Sequence, residues 1–179
     1  MRSLRLLIGS GAVAAISLLT VPTVALASTH AVTNDNFSGV ETGIPTPCGP
    51  SGSGDSSSPF AGAAWGGLNG TFSAAICHPA VAVYPGKTTA IISGSFVLSS
   101  LSGATLSGSF APNPSAITAE APSHYDFFFC KQRFLVRDSL TPGGSVAAVL
   151  THYSTVYSSS GCAGTVVFAT VSGAVSISS

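Results

Sequence analysis

The chain has 179 residues, of which 45% are hydrophobic and only 7% charged, with six Lys or Arg set against six Asp or Glu. So sparse a positive charge excludes a protein that tracks a phosphate backbone, because that takes many basic contacts. Its wealth of Val, Ile, Leu and Phe excludes a disordered chain and leaves Ser, Thr and Gly to supply the polar surface.

The first predicted element is a targeting segment. Arg2 and Arg5 give a positive start, an almost uncharged apolar run follows from Leu6 to Val24, and Ala25-Leu26-Ala27 offers a small-x-small cleavage site. The run is long enough to span a bilayer if left uncut, but Pro22 and the small residues beside the cut disfavour a stable spanning helix. Cleavage after Ala27 is expected, leaving one secreted β domain over 28–179 with no membrane span of its own, at the cell envelope or outside it. The remaining bases are Lys87, Lys131, Arg133 and Arg137, so the mature chain is slightly acidic and nucleic acid is not an expected partner.

Four cysteines follow the cut: Cys48, Cys77, Cys130 and Cys162. An even number in an exported chain points to two disulfides, with three possible connectivities. There is no CxxC or HxxxH pair, so neither a metal nor another cofactor is expected.

Next comes "TPCGPSGSGDSSSPFAGAAWGG" at 46–67, whose Pro, Gly and Ser content predicts a loop. Strands are predicted over 68–77, 88–100, 104–111, 123–137, 145–157 and 164–177, with a shorter one near 30–37, because β-branched and aromatic residues there are bounded by turn clusters. No apolar period near 3.6 persists, so no major helix is expected. Short connections require antiparallel pairing. The predicted fold is therefore all-β: a closed antiparallel barrel, or a barrel-like sandwich, of about six to nine strands.

A motif recurs inside these strands: "LNGTF" at 68–72, "ISGSF" at 92–96 and "LSGSF" at 106–110. Alternate residues of a strand share a face. Large-Gly-large then lies on one face and small polar residues on the other, so the glycine leaves a notch in which a neighbouring ring can sit. This pattern builds a wall and carries no chemistry.

Chemistry has two candidate places. On one face of 123–137 lie Tyr125, Phe127, Phe129, Lys131, Arg133 and Arg137, a strip of rings and bases suited to stacking and cation–π contact with a ligand or partner. The opposite face carries His124, Asp126 and Gln132. Pairing about the "LTPGG" turn sets Cys130 opposite His152 and Asp126 opposite Val156, so that His124, Asp126 and His152 could form an interior acid–base site. A one-residue slip in register would dissolve it. The same register sets Cys130 too far from Cys162 for an easy bridge.

Three functions remain open: a non-catalytic secreted barrel binding a small apolar or glycan-like ligand or a protein partner, a small secreted enzyme with an interior His/Asp site, and a structural envelope protein. Fold alone does not choose among them.

Overall fold

The computed structural model describes residues 32–80, 84–126, 129–158 and 161–178. The expected cleavage site at Ala27 lies outside the described residues. Twelve strands run in chain order: β1 (Val32–Glu41), β2 (Thr46–Pro47), β3 (Ser56–Gly66), β4 (Gly70–His78), β5 (Thr88–Ile91), β6 (Ser93–Ser100), β7 (Thr105–Phe110), β8 (Asn113–Ala119), β9 (Ser123–Asp126), β10 (Phe129–Thr141), β11 (Gly144–Ser158) and β12 (Gly161–Ser178). No helix occurs among the described residues.

Eight of these strands close on themselves. The order is β1-β3-β4-β6-β7-β10-β11-β12, and β12 returns to β1 through an antiparallel register from Val32↔Ser178 to Val40↔Thr170. Every pairing is antiparallel between chain neighbours or across this one seam, so the barrel is up-and-down. The β6–β7 hairpin continues past a bend as β5 and β8, which pair with each other while β8 also reaches β10 through Phe134↔Ala119. Closure leaves no free edge in the main wall.

Two predicted elements are corrected. The second half of the 46–67 segment is not loop, because Ser58, Phe60, Gly62 and Ala64 point inward from β3. Pro59 is tolerated there: its carbonyl accepts from the Thr42 N–H just past the end of the β1 ladder, so the side on which an N–H is missing has no ladder bond to lose. The strand predicted as continuous over 123–137 is two strands. β9 folds back on β10 with Phe129↔Asp126 and Cys130↔His124, and a register shift lies between Phe129 and Cys130.

Side chains alternate strictly by face. Phe37, Phe60, Phe72, Phe96, Phe110 and Phe134 are buried with Leu98, Val136, Leu150 and Ile177. Each such ring contributes roughly 1.5–3 kcal/mol by leaving water. Ser38, Ser73, Ser95, Ser107 and Ser172 stand on the outer face. That polarity is the reverse of a membrane barrel, whose outer band is apolar and whose interior is polar.

The glycine notches are occupied. Phe96 of β6 is in register with Gly108 of β7, and its Cζ lies 2.7 Å from where a Cβ on Gly108 would sit. The Phe110 ring covers Gly94 in the same way, at 2.8 Å. Phe72 lies over both Gly62 and Gly39, which face each other on β3 and β1. Two of the three repeat copies, with Gly62 and Gly39, thus form a ring-over-glycine ladder that lets bulky rings fill a narrow barrel, whereas the backbone of β6 closes over Gly70.

Candidate ligand pocket at the barrel mouth

Two disulfides, Cys48–Cys77 and Cys130–Cys162, act at the same end of the barrel, with Cα separations of 6.0 and 5.5 Å. The first ties the 48–55 loop to the end of β4. The second corrects the distance expected from the sequence. Irregularities between Tyr153 and Ser154 and between Ser154 and Val156 break the β11–β12 ladder, and they carry Cys162 to within bridging distance of Cys130. Gln132, fully buried, holds the same junction: its Nε2 donates to the Glu120 carbonyl at 3.0 Å and its Oε1 accepts from the Cys162 N–H at 3.1 Å.

Beneath this clasp is a pocket of about 270 Å³ lined by Glu41, Ser58, His78, Phe134, His152 and Ser154, among others. A second, apolar cavity of about 70 Å³ occupies the lumen among the phenylalanines, with Ala148 and Val175 in its wall. His78 lines both, so the polar mouth and the apolar lumen adjoin at this ring.

Each polar group reaches the mouth for a legible reason. Glu41 follows Phe37 and Gly39 on the inward face of β1, and His78 follows Phe72, Ala74 and Ile76 on that of β4. Both sit where the apolar lining gives way to solvent. The His78 Nδ1 lies 2.7 Å from the Pro79 carbonyl, an acceptor only, so Nδ1–H donates and the neutral ring keeps Nε2 as an acceptor. His152 is in register with Gln132, and its ring packs 4.9 Å from the ring of Phe134.

Burial, with His78 nearby as a smaller cause, lowers the His152 pKa from 6.5 to about 4. This differs from the near-neutral titration expected for an imidazole beside a carboxylate. The unfolded chain holds the proton more tightly, so this contribution to stability is whole above pH 6.5 and lost as pH falls through about 4. It amounts to about 3 kcal/mol. Urea unfolding of the protein and of His152→Gln at pH 7 and pH 4 checks this, with a smaller pH-dependent loss expected in the variant. Equal losses in both would refute it.

Of the predicted acid–base group, His124 stands apart from His152, and the side chain of Asp126 lies outside the described residues. The register is displaced by two residues from the expected one, with Cys130 opposite Ser154 instead of His152, because the turn centres on Pro142. His124 is exposed on β9, and its ring lies 3.7 Å from that of Tyr157. The side chains of Tyr125, Asp126, Phe127 and Phe129 lie outside the described residues. Lys131, Arg133 and Arg137 do stand on the outer wall, and Arg133 meets Glu120 at 3.3 Å. In register with Lys131 are Tyr153 and then Phe168, whose rings stack at 4.1 Å. Sequence reasoning missed Glu41 and His78 as lining residues. The strand parity that placed Phe37 and Phe72 inward carries the signal for both.

No protein-family model, curated protein or solved structure matches this chain.

Proposed function

We propose that this is an exported, non-catalytic binding barrel that takes a small ligand, polar end in the mouth and apolar end in the lumen. The carrying observation is that a polar pocket and an apolar cavity adjoin, with His78 in the wall of both. A void of about 70 Å³ is smaller than the roughly 150 Å³ that accepts a benzene ring, so the lumen takes only a small apolar end. The bulk of the ligand sits in the mouth. Two disulfides support an oxidising compartment, and a wall of serine and threonine suits water.

Catalysis is disfavoured by the state of His152. An efficient general base titrates near its working pH, and a ring titrating near 4 is a weak proton acceptor at neutrality. The outer ladder of Lys131, Tyr153 and Phe168 favours a second reading, in which a glycan or protein partner lies across the wall by stacking.

The lumen reading is tested by calorimetric titration with 3-methylbutan-1-ol, a neutral compound with a small apolar end and one hydroxyl. Saturable binding is expected, and it should be lost in Ala148→Leu, whose added branch is about the size of the lumen void. Binding that persists unchanged in the variant would place the ligand elsewhere. No saturable binding to the wild type would leave the outer wall as the stronger candidate.

A further inference from the structure

The head-group chemistry of this ligand is written in what lines the two cavities and in what is kept out of them. Resting on the lumen reading above, we infer that the ligand carries a hydrogen-bond-donating head without negative charge, with an amine preferred over an alcohol and both over a carboxylate or phosphate.

Among the described residues, no Lys or Arg lines either cavity. The bases are elsewhere: Lys131, Arg133 and Arg137 on the outer wall, and Lys87 exposed before β5. The one formally charged side chain in the mouth is Glu41, half-buried and without an ion-pair partner among the described residues. The two imidazoles do not replace the missing cations. Burial keeps His152 neutral at neutral pH, and in its neutral form His78 spends its only N–H on Pro79, which leaves Nε2 to accept. Gln132, the remaining strong donor, is consumed by Glu120 and Cys162.

The hydroxyls of Ser58 and Ser154 can donate or accept, so the mouth offers no cation and its one formal charge is negative. An anionic head would lose its water, gain no cation and face the Glu41 carboxylate. An ammonium or hydroxyl head finds the His78 Nε2 and the Glu41 carboxylate as acceptors. An apolar barrel for fatty carboxylates would need the opposite arrangement, a base at the rim.

The test is a matched series on the full folded protein at pH 7.5: 3-methylbutan-1-amine, 3-methylbutan-1-ol and 3-methylbutanoate, which share one isobutyl end. The amine is expected to bind at least about tenfold more tightly than the carboxylate, since like-charge contact is penalised and opposite charge rewarded. Glu41→Gln should bring the amine down to the level of the alcohol, while the alcohol, whose acceptor becomes an amide oxygen, loses much less. A carboxylate within tenfold of the amine, or an amine preference that survives Glu41→Gln, would overturn the head-group assignment and leave the lumen reading standing. Failure of all three compounds to bind would overturn the lumen reading, and this inference with it.

Discussion

Gly62→Val is expected to be the most damaging single substitution in the wall, costing at least about 3 kcal/mol, at or beyond the upper end of what overpacked cores show. The reason is close approach. A Cβ on Gly62 would strike the Ser38 carbonyl oxygen and lie 2.8 Å from Cε1 of Phe72. Phe72 could turn aside only by abandoning the space over Gly39, and the backbone of β1 could retreat only by opening its ladder with β3. Ser95→Val provides the control, because Ser95 points outward from β6 and its change should fall within about 0.5 kcal/mol. Chemical denaturation of the two variants beside the wild type measures the difference. Equal midpoints would show that the ring-over-glycine ladder is not a constraint.

The second large effect belongs to the Cys130–Cys162 bridge. Its half-cystines are 32 residues apart in sequence, and closing a loop of that size removes about 3–4 kcal/mol of unfolded-state entropy. The paired substitution Cys130→Ala with Cys162→Ala is preferable to serine, since Cys130 is fully buried and a hydroxyl there would add its own desolvation cost. A fall in melting temperature of about 10 °C is expected for a domain of this size. The bridge also holds one wall of the mouth, so affinity for 3-methylbutan-1-ol should weaken even at temperatures where the variant is fully folded. A variant that keeps full affinity would assign the bridge to stability alone.

How far the residues reveal the molecule depends on what kind of signal each one carries. Alternation was enough to predict an antiparallel barrel, to place Lys131, Arg133 and Arg137 on the outside and to give the glycines their notches. It failed where small residues or prolines diluted the contrast. β3 reads as loop because Ala and Ser stand where larger residues would mark a face, and β8, which no prediction covered, begins at "NPS". The Cys130–Cys162 pairing was illegible for another reason, since the irregularities opposite Ser154 put extra residues into β12, and the one sequence mark among them, Gly164 at φ 75°, reads as part of the turn beside Cys162. Likewise the antiparallel pairing of β9 with β10 separates Asp126 from the strand that carries Gln132, although the sequence of 123–137 reads as one continuous strand. The mouth itself was within reach: Glu41 and His78 keep the parity of the lumen phenylalanines and differ from them only in being last on their strands.

The seam between β1 and β12 has a bearing on biogenesis. Val32 meets Ser178 across it, so the first described strand stays without one of its two neighbours until β12 has been made. During synthesis β1 presents a bare row of backbone donors and acceptors, and the half-built sheet offers its phenylalanines to whatever is near. A barrel closed between strands so far apart in sequence also folds slowly, because a long loop has to be gathered before its contacts reward it. The last strand therefore acts as a latch on a growing chain: until it arrives there is a curved sheet with two open edges, and afterwards there is a vessel.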